Sequence, residues 1–154
     1  MHIRPPTIAD LETLFTFQLD EDARQIAAFI PENWADKEAY IAKWTRLISE
    51  GKVYIYTIIV DEEIVGSIGS WQLEDEWQIT YWINKAYWGR GIATAALREF
   101  LKVFTTRPLY GRAAFDNMGS IAVMEKCGFL HTGNDMYHSH ARGKEIEELI
   151  FKLD

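Results

Sequence analysis

Tyr87-Trp88-Gly89-Arg90-Gly91-Ile92-Ala93-Thr94 is the stretch on which the reading of this chain turns. It follows Trp77–Ile83, a run of β-branched and aromatic residues that reads as a strand, and it precedes helical spacing over Thr94–Phe104, where Leu97, Leu101 and Phe104 share a face. A strand-to-helix junction offers unpaired backbone N–H groups and the positive end of a helix dipole. Glycines let such a backbone turn tightly and approach an anion closely. The chemical reading of Gly89 to Thr94 is therefore a pyrophosphate cradle, with Arg90 adding charge, Ala93 keeping the start of the helix uncluttered and Thr94 offering a hydroxyl. A plain strand-to-helix turn explains two glycines one residue apart equally well. Two familiar phosphate loops are ruled out. No Gly-Lys-Ser/Thr ending is present, and a dinucleotide fingerprint would want glycine or alanine where Thr94 stands.

Working outward, Leu109–Phe115 after Pro108 reads as a strand, so Trp77–Ile83, the helix and this strand form one β-α-β unit with parallel strands. Upstream, Val53–Val60 and Ile64–Gln72 read as an antiparallel hairpin around Asp61-Glu62-Glu63, and Leu73–Glu76 turns the chain into Trp77–Ile83. Before them lie three helical pieces: one capped by Thr7, a short one over Ala23–Phe29, and one capped by Asp36 and stopped by Gly51. Downstream, Asn117 caps a helix that Gly128 ends. Extended stretches at Leu130–His138 and Glu145–Leu153 follow, joined at Arg142-Gly143. The expected fold is α/β of the α+β type. One domain spans residues 1–154, with a mixed, mostly antiparallel sheet, one parallel β-α-β unit and helices on both faces.

A chain of 154 residues, 48% hydrophobic and 25% charged, buries about two-thirds of its unfolded surface and needs no disulfide scaffold. A formal charge of −7 repels phosphate backbones, so no nucleic-acid partner is expected. No apolar run reaches membrane-spanning length and no signal core opens the chain, so no membrane partner is expected and the expected location is cytoplasmic. Cys127 is the sole cysteine, which excludes an internal disulfide and a cysteine-rich zinc site.

Trp88-Gly89-Arg90-Gly91-Ile92-Ala93 resembles the acyl-CoA loop of the GNAT N-acetyltransferase superfamily, Arg/Gln-x-x-Gly-x-Gly/Ala, with Trp88 in place of the first Arg or Gln. Asn117-Met118-Gly119-Ser120, closed later by Gly128-Phe129, is similar to that superfamily's Asn-x-x-Ala/Ser helix. Tyr81 through Gly91, with Asp116-Asn117, resembles the branch that holds the ribosomal-protein N-terminal acetyltransferases and many small-molecule relatives. The resemblance implies a single GNAT-like domain that moves an acetyl group from acetyl-CoA to a primary amine, on a peptide or a small molecule, and it allows a homodimer. Backbone groups at Trp82 and Ile83 would hold the pantetheine in a gap between splayed parallel strands. Residues Trp88 to Thr94 would hold the pyrophosphate, and Asn117 would touch the pantetheine or the reacting region.

The same resemblance exposes two departures. The tyrosine acid that the family often carries seven residues after its Asn falls on Met124, which donates no proton. Ser120, one helical turn earlier on the same face, is the substitute donor, and Tyr81 is a second hydroxyl to consider; a helix-start hydroxyl and a core aromatic are the plain alternatives. The branch's usual glutamate base falls on Gln78, leaving Glu74, Glu76 and Asp116 as carboxylates nearby. Those departures also admit a non-catalytic acyl-CoA-binding domain. A nucleotide-binding oxidoreductase is the third reading, with Asp116 as a ribose-binding acid. His138-Ser139-His140 reads as surface strand with no third metal ligand. Cys127 reads as core packing. Trp34, Trp44, Trp71 and Trp77 divide between core and the lining of an acceptor pocket built by the first helices and the last hairpin.

Overall fold

The computed structural model describes residues 1–154 in full. Seven strands make one sheet in the order β1-β2-β3-β4-β5-β7-β6. They are β1 (His2–Arg4), β2 (Val53–Val60), β3 (Glu63–Leu73), β4 (Glu76–Ile83), β5 (Leu109–Ala114), β6 (Leu130–Ser139) and β7 (Lys144–Leu153). The helices are α1 (Ile8–Phe17), α2 (Glu21–Ala27), α3 (Lys37–Ser49), α4 (Ile92–Val103) and α5 (Met118–Lys126). Only β4 and β5 run parallel, as the β-α-β reading expected, and every other neighbouring pair is antiparallel.

Alternation along β2 sends consecutive side chains to opposite sheet faces. Tyr56 meets Phe100 of α4 at 6.0 Å between ring centroids, while the next residue, Thr57, donates a hydrogen bond to Asp10 of α1 at 2.9 Å. Thus α4 and α1 cover different faces. The α4 side holds the principal core, in which Ile58, Ile68, Leu97, Phe100, Leu109 and Phe151 are buried. Burial of each such side chain contributes about 1.5–3 kcal/mol.

Three local features depart from the sequence expectation. Strand β1 was not foreseen, because three residues carry too little periodicity to read. Helix α4 starts at Ile92 instead of Thr94, with Gly91 as its N-cap. The expected loop at Asn84–Arg90 contains a 3-10 turn over Lys85–Tyr87, capped by the Asn84 side chain.

The capping box that starts α1 also ties down β1. Thr7 and Asp10 cap each other reciprocally, and Asp10 accepts two hydrogen bonds from Arg4, at 2.7 and 3.0 Å. These contacts lower the Asp10 pKa from its ordinary value to about 2, the Arg4 hydrogen bond being the largest cause. A carboxylate with a depressed folded-state pKa stabilises the fold above its unfolded pKa and loses that contribution as pH falls toward 2. Asp10→Asn is therefore expected to lose about 1–3 kcal/mol at pH 7, read by urea unfolding. The difference from the unmodified protein should shrink below pH 4. A gap that stays constant between pH 7 and pH 2.5 would refute this account.

Candidate active site

Ladder contact between β4 and β5 is confined to two positions, Trp77–Leu109 and Gln78–Tyr110. Beyond Gln78 no β4–β5 partners remain, and a mostly apolar cleft of about 560 Å³ opens there. Its walls are Tyr81 to Ile83 at the end of β4, the glycine loop, the start of α5 and the inner side of α2. Helix α5 lies close over β5 because residue 111 is glycine: a Cβ there would collide with Met124 Sδ. Met124 is accordingly buried in the core and faces no solvent.

The loop is held open in a specific shape. Gly89 and Gly91 have φ of 75° and 72°, in the left-handed region that favours glycine. No side chain caps the N-terminus of α4, so its first-turn amides stay available in the cleft wall. Trp88 has a definite job at the position where it departs from the motif. Its indole N–H donates to the Ile83 carbonyl at 2.9 Å, which straps the loop to the end of β4. That bond occupies the Ile83 carbonyl. Trp82 lines the cleft as well, and its indole N–H points to α1, donating to Phe17 O at 3.3 Å. Arg90 is absent from the cleft wall; its guanidinium lies over the Tyr87 ring, 5.0 Å from the centroid.

At the start of α5, Asn117 Oδ1 accepts from the Ser120 backbone N–H at 3.2 Å and caps the helix. The Ser120 hydroxyl is 2.7 Å from the Tyr81 hydroxyl, across the opening between β4 and α5. Periodicity could not reveal this pair, since its members are 39 residues apart. Burial pushes the Tyr81 phenol above its ordinary pKa, so it remains protonated at neutral pH.

Carboxylates are scarce here. Asp116 is the sole acidic side chain in the wall, and both its oxygens accept from Arg142 at 2.9 Å. The Arg142 hydrogen bond holds its pKa below the usual carboxylate range, which makes Asp116 a weak base. Gln78 is buried, with Oε1 lacking a protein partner, and lies outside the wall. Glu74 and Glu76 are exposed at the β3–β4 turn, away from the cleft.

The remaining candidates fall elsewhere. His138 and His140 are exposed, with ring centroids 5.0 Å apart, and no group of three metal-ligating side chains exists. Cys127 is half-buried, with its thiol pushed up by burial, and packs against the core. Trp77 joins Tyr54 and Phe104 in an aromatic cluster, and Trp34 lies under Arg24. Neither these nor Trp44 and Trp71 line the cleft, whose tryptophans are Trp82 and Trp88. Lys126, at the far end of the α5 wall, was not singled out from sequence. The signal for it was the spacing Gly119, Ala122, Val123, Lys126, one helix face turned to the cleft.

The family model described as an acetyltransferase (GNAT) domain matches residues 1–130. The chain belongs to the GNAT acetyltransferase family. Membership makes it an acyltransferase. A curated relative in Bacillus subtilis (strain 168), YdaF, provisionally named a ribosomal N-acetyltransferase, is 30% identical over 136 residues, covering 81% of this chain and 74% of that protein. Among solved structures, the ribosomal alpha-N-protein acetyltransferase RimL in complex with coenzyme A superposes with a TM-score of 0.85 at 18% identity, over 98% of this chain and 92% of that one. The ribosomal-protein-alanine N-acetyltransferase of Brucella melitensis gives 0.83 at 20% identity, over 99% of both chains. At these identities the superpositions establish the fold. No helix is long and apolar enough to cross a membrane.

Proposed function

We propose that this GNAT enzyme transfers the acetyl group of acetyl-CoA directly to a primary amine. The observation that carries the reading is the cleft itself: a two-residue parallel contact that splays open beside an uncapped helix N-terminus. Family membership, and relatives whose names specify N-acetylation of ribosomal proteins, support the same chemistry and make a peptide N-terminus the first acceptor to test.

In this reading the pyrophosphate rests on the amides from Gly89 to Thr94, where the helix dipole favours an anion. The pantetheine lies between β4 and α5, beside Trp82, Ile83 and Asn117. A backbone N–H at the end of β4 polarises the thioester carbonyl. The neutral amine attacks that carbon, a C–N bond forms, and the C–S bond breaks to release the CoA thiolate. The Ser120–Tyr81 hydroxyl pair delivers a proton to the thiolate, and the proton that the nitrogen sheds after attack passes through water to restore the pair. Because Asp116 is held by Arg142 and Gln78 cannot titrate, the ammonium proton of the acceptor leaves to water, and positioning supplies much of the rate.

Calorimetry with acetyl-CoA, followed by release of free CoA thiol over a panel of amines, tests this function. The panel should contain a peptide N-terminus, a polyamine, an amino acid and an aminoglycoside. Micromolar acetyl-CoA binding and turnover on at least one amine are expected. Binding without turnover on any amine would leave only an acyl-CoA-binding domain. Absence of binding at millimolar acetyl-CoA would sink the reading.

A further inference from the structure

The cleft wall contains one basic side chain, Lys126. It stands one turn beyond Val123 on the α5 face that turns to the cleft, and it makes no ion pair with any carboxylate of the chain. Its neighbour Cys127 has Sγ 3.8 Å from the Thr94 carbonyl, so the end of α5 abuts the first turn of α4. Lys126 thus lines the cleft at the end of α5 that lies beside the first turn of α4. Arg90, the cation expected from sequence, points to Tyr87 and leaves that role open.

Coenzyme A presents two separate phosphate groups, and the protein that must hold them carries a formal charge of −7. The pyrophosphate is matched by backbone: two left-handed glycines and the uncapped start of α4. The start of α5 also lines the cleft, and there Asn117 Oδ1 already accepts from the Ser120 N–H. The ribose 3′-phosphate is a monoester near two negative charges at pH 7, and among cleft residues its sole cationic partner is Lys126. Building on the acetyl-CoA reading, we propose that Lys126 binds the ribose 3′-phosphate of the cofactor and sets the enzyme's preference for CoA over 3′-dephospho-CoA. Asp116, the acidic residue of the wall, does not oppose this, because Arg142 neutralises it.

The test is a comparison of dissociation constants for CoA and 3′-dephospho-CoA, measured by calorimetry at low and high salt. The unmodified protein should bind CoA about five- to tenfold more tightly at low salt, the size expected for an exposed charge-assisted phosphate contact. Lys126→Ala should weaken CoA by that factor and leave 3′-dephospho-CoA unchanged, so that the preference disappears. Lys126→Arg should retain it. Equal weakening of both ligands would place Lys126 on the pyrophosphate and overturn the proposal, as would an unchanged preference in Lys126→Ala. Failure of the unmodified protein to bind either ligand is a different result, which overturns the acetyl-CoA reading itself. Lys126 is exposed and outside the core, so loss of folding does not confuse the outcome.

Discussion

Replacing Gly91 with valine is expected to raise the KM for acetyl-CoA about 100-fold while the protein stays folded. Gly91 is the N-cap of α4 with φ 72° and ψ 12°, and no atom lies within 4 Å of where its Cβ would stand. Collision is thus not the cost. A left-handed conformation costs an L-residue roughly 1–2 kcal/mol, and more when it is β-branched. The chain can escape that strain by rotating the loop, which turns the first amides of α4 away from the phosphate. A side chain would also occupy the space through which the anion approaches. Both effects act on cofactor binding, so kcat at saturating acetyl-CoA should fall far less than kcat/KM. Gly91→Asn separates the two causes, since asparagine tolerates the left-handed region while still adding a side chain. It should fall between the native protein and Gly91→Val. Calorimetric affinity and steady-state kinetics give the readout; an unchanged dissociation constant in Gly91→Val would remove the cradle from the mechanism.

The second large effect is on kcat. Tyr81→Phe and Ser120→Ala should each lower kcat about 100-fold, within the 10²–10⁴ range that a positioned proton donor supplies. Their hydroxyls are 2.7 Å apart at the cleft wall, and burial keeps the Tyr81 phenol protonated beyond its ordinary range. Because both would serve one proton path, the double variant should be little worse than either single one. Loss of the hydroxyl contact costs about 1 kcal/mol of stability, so melting temperatures should move by only a few degrees. Acetyl-CoA affinity should hold. The signature to look for is pH dependence: the native alkaline limb of kcat should lie above the ordinary range of a tyrosine phenol, because burial raises the Tyr81 pKa and delays loss of the proton, and the limb should change in Tyr81→Phe. Fully additive effects in the double variant would show that the hydroxyls act separately. Unchanged kcat in both single variants would show that the contact is only structural.

Much of the site was open to reading because its signals are local. The left-handed glycines, the helix that follows them and the Asn117 cap each depend on a few consecutive residues, and the resemblance that joined them needed only their order. The capping box of α1 was legible for the same reason: Thr7 and Asp10 are three residues apart. What escaped were relations between distant segments. Asp10 reaches Thr57, 47 residues on. Asp116 looked like a free carboxylate beside Asn117 until the β6–β7 turn brought Arg142 onto it. Arg90 stood in the motif, yet its side-chain direction depends on Tyr87, where a guanidinium finds an aromatic face. The tryptophans that looked available for a pocket lie elsewhere: Trp77 packs with Tyr54 and Phe104, Trp44 with Tyr40, Trp34 lies under Arg24, and Trp71 is exposed.

By itself the sequence determined the order of the elements, the single parallel crossover, the glycine loop at a strand-to-helix junction and the absence of the family's usual acid and base at Met124 and Gln78. Those follow from side-chain period, turn chemistry and residue identity, which are properties of short stretches. The tertiary structure alone decided how far β4 and β5 pair before they part, and hence where the cleft opens. It also decided that Tyr81 meets Ser120, that Arg142 silences Asp116, and that Lys126 supplies the cleft's basic side chain while Arg90 does not. These contacts form when the sheet orders its strands and packs α5 over Gly111, so their partners are chosen by the fold and not by proximity along the chain.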